Sequence, residues 1–193
     1  MAQAEKKMDA IALLKSDHRA VEALFEKFEK ARDQGRKGEI ARKICHELVV
    51  HTMIEEEIFY PAIRGKAEDD LLDESYVEHD GAKMLIAEIL AGSPGDDFYE
   101  AKVTVLKEQI KHHVKEEEKP GEGLFAQARQ AEKNGEVDLD ALGEQMQARK
   151  DELMQDIEAG AAARLETRSF HAGAPIQGTP PAQRPATMEP GFA

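Results

Sequence analysis

Residues 51–61, HTMIEEEIFYP, and residues 112–119, HHVKEEEK, each set a histidine four positions ahead of a glutamate. In the first stretch these are His51 and Glu55; in the second, His113 and Glu117, and the second pair lies 62 residues after the first. A lone histidine precedes each pair, and these two, His18 and His79, are 61 apart. The chain therefore repeats a helical hairpin: one histidine, then His-x-x-x-Glu, twice over. Residues four apart stand one above the other on a helix, so each pair can act at one point.

Outward from these stretches, helical periodicity runs through most of the chain. It is interrupted at 35–38, 65–70, 91–97, 119–123 and 134–138, where Gly, Pro, Asp and Asn gather. The pattern predicts long helices over 16–33, 39–63, 71–91 and 97–118, then shorter ones over 124–133 and 139–158. Ser16 or Asp17 can cap the first, Asp96 or Asp97 the fourth, and Asp138 the last. Short loops between long helices make neighbours antiparallel. The expected fold is all-α, an antiparallel up-down four-helix bundle over 10–130, with a C-terminal helical extension over 136–160. From 161 to 193 the chain is rich in Pro, Gly and Ala without periodicity. We expect a disordered tail there, and its His171 is not expected to be a ligand.

Helical phase selects the inward residues. At about 100° per residue, Ile44, Leu48, His51, Glu55 and Ile58 fall within about 80° of one another, with His46 on the opposite face. Tyr99, Leu106, Ile110, His113 and Glu117 cluster within about 60°, which picks His113 over its neighbour His112. His79 shares a face with Leu72, Ala82, Ile86 and Leu90, and His18 with Val21, Phe25 and Phe28. Four histidines and two glutamates thus accompany the apolar stripes. An inward glutamate is costly unless it is paired, protonated or bound to a metal. Six such donors exceed what one tetrahedral zinc needs and suit divalent first-row ions such as iron and manganese. They fit two metals, each with two histidines, bridged by both carboxylates and one or more oxygen species.

Other charged residues near this set have plainer readings. Glu56, Glu57, Glu116 and Glu118 are read as solvated or as supports behind the ligands. Glu22 lies one turn after His18 and is read as a surface charge or, alternatively, a seventh ligand. Lys83 holds the same relation to His79. Cys45 is read as a small buried hydrophobe.

Composition narrows the classes. The 193 residues hold 26 Lys+Arg against 39 Asp+Glu, a formal net charge of −13, which argues against nucleic acid as a partner. A single cysteine excludes a disulfide framework within the chain. No apolar run has the length of a membrane span, and MAQAEKKMDA lacks the apolar core of a secretory signal. The expectation is a soluble, cytoplasmic protein without a membrane partner.

LLKSDHRAVEALFEKFEKA, HTMIEEEIFYPAI, VEHDGAKMLIAEI and HHVKEEEKPGEGLF together resemble the haemerythrin-like, or HHE cation-binding, domain over roughly residues 10–130. LDALGEQMQARKDEL is similar to an extension found in bacterial members. The resemblance implies a bundle holding two iron ions, a non-haem, oxo- or hydroxo-bridged di-iron centre. It implies His18, His51, Glu55, His79, His113 and Glu117 as ligands, with Glu55 and Glu117 as bridges. Lys83 stands where oxygen-carrying members have a further histidine, and His113-x-x-x-Glu117 replaces their His-x-x-x-x-Asp. The implied function is binding or reaction with O2, NO or H2O2, including oxygen or nitric oxide sensing and stress response. The alternative is an iron- or redox-responsive regulatory module without catalysis, reaching a protein partner through the C-terminal tail. An oxidase or peroxidase of an organic substrate would need a pocket that the sequence does not display. A scaffold holding zinc or no metal is the remaining reading. KPGEG after Glu118 predicts a helix break beside the site.

Overall fold

Asp9 opens the first helix, its carboxylate accepting from the Ala12 amide at 2.9 Å. This structure is a computed structural model that describes residues 8–161 and 165–170. The helices are α1 (Ala10–Lys30), α2 (Gln34–Ile54), α3 (Tyr60–Ile63), α4 (Asp69–Ala91), α5 (Tyr99–Glu117), α6 (Leu124–Lys133) and α7 (Leu139–Glu158). No strand occurs among the described residues. Helices α1, α2, α4 and α5 form the expected antiparallel bundle. α1 packs on α2, α2 on α4, and α4 on α5, while α7 lies against α1 and α2. Gly143 permits that last contact, since a Cβ there would collide with the backbone at Met8, Asp9 and Ala10.

Two cap expectations are corrected. The apolar face of α1 reaches back to Ala10 and Ile11, so the helix starts at Asp9 and leaves Asp17 within it. At α5 the cap position is Phe98, in the left-handed region with φ 65°, while Asp96 accepts from the Ser93 amide and closes the preceding turn. Asp138 caps α7 as expected, accepting from Ala141.

The second long helix is not continuous. A π-helical turn, Glu55–Phe59, separates α2 from α3, and the Tyr60 amide reaches back to the Glu55 carbonyl. Pro61, lacking an amide hydrogen, cannot serve the carbonyl four residues before it, and the wider turn absorbs that loss. The extra residue also changes the phase, so Glu55 and its neighbour Glu56 are both buried.

The core falls into two apolar clusters. One holds Leu14, Val50, Ile54, Phe59, Ile63, Leu72, Leu124 and Phe125, with Leu139 and Met146 of α7. The other holds Val21, Phe25, Ile44, Leu48, Ala82, Ile86, Val103 and Leu106. In α1, α2 and α4 the inward histidine comes between residues of the two clusters, and in α5 His113 follows the second cluster's Val103 and Leu106, so the polar groups form a layer across the bundle.

Candidate metal centre

His18, His51, Glu55, His79, His113 and Glu117 are all buried and converge in that layer. Each was selected by phase from the sequence, one from α1, one from α2, one from the π turn that follows it, one from α4 and two from α5. The Nε2 atoms of His18 and His51 lie 3.1 Å apart, and those of His79 and His113 lie 3.2 Å apart. Glu55 Oε2 stands 3.3 Å from Nε2 of His51 and 3.3 Å from Nε2 of His79. Glu117 Oε2 stands 3.5 Å from Nε2 of His18 and 3.5 Å from Nε2 of His113. Each glutamate thus spans one histidine of each pair.

Behind the histidines stands a second set of carboxylates with the same internal repeat. His18 Nδ1 faces Glu118 at 2.8 Å, and His79 Nδ1 faces Glu56 at 3.0 Å. His113 Nδ1 faces Glu78 at 2.8 Å, and His51 Nδ1 faces Asp17 at 3.7 Å. At His18, His79 and His113, where the contact is a hydrogen bond, the carboxylate holds the proton on Nδ1 and leaves the Nε2 lone pair facing the centre. Sequence reasoning left Glu56 and Glu118 open and took Asp17 for a cap. The signal was present: an acid precedes both lone histidines, at Asp17 and Glu78, and a second glutamate follows both Glu55 and Glu117.

Tyr60 was missed. Its buried hydroxyl lies 3.0 Å from Glu117 Oε1, 3.3 Å from His79 Nε2 and 3.5 Å from Glu55 Oε2. The π turn aims it there, and a regular helical wheel does not. Phe125 of α6 was likewise not foreseen; it stacks on His18 at 5.7 Å between ring centroids. The helix break after Glu117 is present, and it lets α6 fold back over the site. Gly123 is required, because a Cβ there would collide with the carbonyls of Glu116 and Glu117.

Electrostatically this layer is poorly balanced by its own residues. Burial, reinforced by Glu117, Asp17 and Glu56, pushes the Glu55 carboxyl well above the ordinary range. Burial and then the neighbouring imidazoles push His18 and His79 well down. His113 goes the other way, because Glu117 and Glu78 outweigh its burial. Asp17 Oδ2, His51 Nδ1, Glu55 Oε1 and Glu117 Oε2 are buried without a hydrogen-bond partner among the described residues, and all four belong to this layer. Facing imidazole lone pairs beside carboxylates that lack donors are satisfied together by cations. Two groups can each hold one: His18, His51, Glu55 and Glu117, and Glu55 with His79 and His113.

The remaining candidates fall outside the centre. His112 is exposed, 3.4 Å from Glu78, and His46 is half-buried. Glu22 is exposed and pairs with Arg19 at 3.1 Å, so its surface reading stands. Cys45 is buried, and burial pushes its thiol up to about 12, which suits an inert hydrophobe. Lys83 is buried, 2.6 Å from Glu56 and 3.3 Å from Asp80. Residues 165–170, within the stretch expected to be disordered, meet the same groups. Arg168 Nε donates to Glu56 Oε2 at 2.8 Å, the Arg168 and Ser169 amides donate to Asp80, and Lys83 donates to the Glu166 carbonyl. Buried Asp80 supplies the anchor for this segment, a tertiary contact that composition does not reveal. His171 lies outside the described residues.

Comparison with known proteins agrees with this architecture. The family model of the Hemerythrin HHE cation binding domain matches residues 9–120, and the chain belongs to that family. A hemerythrin HHE cation binding domain-containing protein from Mycobacterium kansasii has a similar fold, with a TM-score of 0.62 at 21% identity. That match covers 82% of this chain and 97% of the other. A Nostoc sp. protein named DNA nickase is 30% identical over 117 residues. The match takes in 61% of this chain and 32% of the nickase, so the chain spans about a third of that relative. No helix among the described residues is long and apolar enough to cross a membrane.

Proposed function

We propose that this chain is a non-haem di-iron protein whose carboxylate-bridged centre binds or reacts with a small ligand such as O2, NO or H2O2. The observation that carries this reading is the position of Glu55 and Glu117, each between one histidine of one pair and one of the other. Two metals sharing two carboxylates need that arrangement, and one tetrahedral ion does not. The bundle over 10–130 is the metal-holding unit in this reading, with 136–160 as an extension and 161–193 as a tail.

A hollow of about 10 Å³ supports the small-ligand part. It is lined by all four histidines and neither glutamate, with Val21, Leu48, Ile110 and Val114 among its apolar walls. That volume is at the threshold for a single water molecule, which is in keeping with the smallest ligands and excludes an organic substrate. Iron bound here would supply redox chemistry and open coordination positions. The chain's own residues do the rest. The carboxylates at Nδ1 orient the imidazoles, the Tyr60 hydroxyl donates to Glu117, and Phe125 covers His18 against water. Lys83 is committed to Glu56 and Asp80, so the extra histidine of oxygen carriers has no counterpart, which favours reaction or sensing over reversible carriage.

One observation favours the regulatory alternative: residues 165–170 bond to Glu56, which itself holds His79. A change at the metal could reach a protein partner through this segment. The charge of −13 keeps nucleic acid out of the proposal, and nicking stays with the Nostoc protein. A cytoplasmic location is part of the same reading. Anaerobic iron reconstitution followed by exposure to O2, NO and H2O2, with metal analysis and spectra, tests it. Close to two irons per chain and a spectral response are expected; one zinc, or no metal, would overturn it.

A further inference from the structure

Helices α1 and α5 close less tightly than the other neighbours, and a cleft of about 270 Å³ opens between them. Its apolar wall is Phe25, Ile110 and Val114, and it reaches His18. Four cations border it, Arg19, Lys107, Lys111 and Lys115, against two carboxylates, Glu22 and Glu118. Arg19 is occupied by both carboxylates, at 3.1 and 2.5 Å, and Lys107 by Glu29 at 2.5 Å. Lys111 and Lys115 are exposed and make no hydrogen bond or ion pair among the described residues. They are four apart on one face of α5, and both line the cleft.

We propose that this cleft binds a small organic anion with an apolar body, of the medium-chain carboxylate class. In a chain of net charge −13, two uncommitted lysines over an apolar hollow are a local exception, and they complement one carboxylate. The walls exclude a bare inorganic anion as the preferred guest, because phosphate or sulfate would leave Phe25, Ile110 and Val114 uncovered. The volume lies just under the usual range for small-molecule pockets. With the carboxylate at Lys111 and Lys115, the alkyl chain runs along Ile110 and Val114 towards His18. The cleft adjoins the hollow assigned to the small ligand, and His18, Ile110 and Val114 line both. Binding needs no iron and does not rest on the proposed function.

Isothermal titration of the full chain with decanoate, with decanol as the uncharged control, tests the proposal in metal-free and iron-loaded protein. Decanoate is expected to bind at one site, at least about tenfold more tightly than decanol. The double variant Lys111→Glu, Lys115→Glu changes only exposed side chains. It is expected to keep its helical circular dichroism and iron content while losing at least about tenfold in decanoate affinity. Equal binding of decanoate and decanol, unchanged affinity in the double variant, or no binding by the wild-type chain would each overturn the proposal. Decanoate binding by a chain that takes up no iron would leave this proposal standing and remove the di-iron reading. Iron uptake without decanoate binding would do the reverse.

Discussion

Glu118 accepts a hydrogen bond from Nδ1 of His18 at 2.8 Å across the bundle, from a residue 100 positions away in the chain. One repeat earlier, Glu56 accepts from Nδ1 of His79 at 3.0 Å. In each half, the residue after a central glutamate turns to the lone histidine of a neighbouring helix. The repeat therefore extends beyond the six inward donors to the groups that orient them.

Glu118→Gln follows directly. A glutamine keeps the volume but offers a neutral acceptor, so the imidazole loses the charge that sharpens its basicity. Metal affinity should fall by about 10–100-fold, the usual effect of removing such a support. Competition with a chelator of known affinity measures it. An unchanged affinity would show that Glu118 serves only its ion pair with Arg19.

Glu117→Ala and the neighbouring His112→Ala separate the inward face of α5 from its exposed one. The first removes an oxygen that stands 3.5 Å from both His18 and His113 and frees the Tyr60 hydroxyl of its 3.0 Å partner. Iron content should collapse, and with it the part of the melting temperature that wild-type protein loses on chelation, since metal that binds only the folded chain stabilises it. His112 is exposed, and its removal should leave both quantities within error. Equal behaviour of the two variants would refute the assignment of the inward face.

Much of this centre is legible in the sequence because a helix has a fixed period. Phase alone separates His113 from His112, and a 62-residue interval joins two weak motifs into a site. Three features escape that logic for physical reasons. Tyr60 and Glu56 are placed by a π turn, which breaks the 100° step on which the wheel depends. Phe125 arrives by a chain reversal at Gly123 whose direction is set by packing. The 165–170 segment has a composition that reads as unstructured, and it is held by buried Asp80, whose role no local pattern announces. The start of α1 differs from the expectation because Ser16 and Asp17 have the chemistry of caps, while the burial of Ala10 and Ile11 against the core carries the helix back to Asp9.

Arg168→Ala tests whether the 165–170 segment bears on the centre. The guanidinium donates to Glu56 at 2.8 Å, and Lys83 donates to the same carboxylate at 2.6 Å. Removing one of two cations from a buried carboxylate should cost about 1–3 kcal/mol, read as a lowered unfolding midpoint. Hydrogen exchange at the Arg168 and Ser169 amides should accelerate, because those donors reach Asp80 only while the segment is docked. If exchange quickens and the spectrum of the iron-loaded protein also shifts, the segment and the metal are coupled. Exchange without a spectral shift would confine it to a structural role.

Asp9 supplies the pH dependence that is free of the metal centre. Its carboxylate caps α1 through Ala12 and takes both oxygens to Arg129 of α6, each at 2.8 Å. Burial raises its pKa, but the Arg129 hydrogen bond and the Ala12 amide outweigh that, and the carboxyl is held below its ordinary range. A depressed carboxyl stabilises the fold when ionised. Its contribution is complete above the unfolded value of about 3.9 and is lost as pH falls through the lower folded value. Asp9→Asn retains a capping oxygen and removes the charge, so its deficit against wild type, about 1 kcal/mol at neutral pH, should shrink as pH drops below about 4. Urea unfolding of metal-free protein at a series of pH values measures this difference. A deficit that stayed constant to the lowest pH would mean that the cap and the Arg129 contact act by geometry alone.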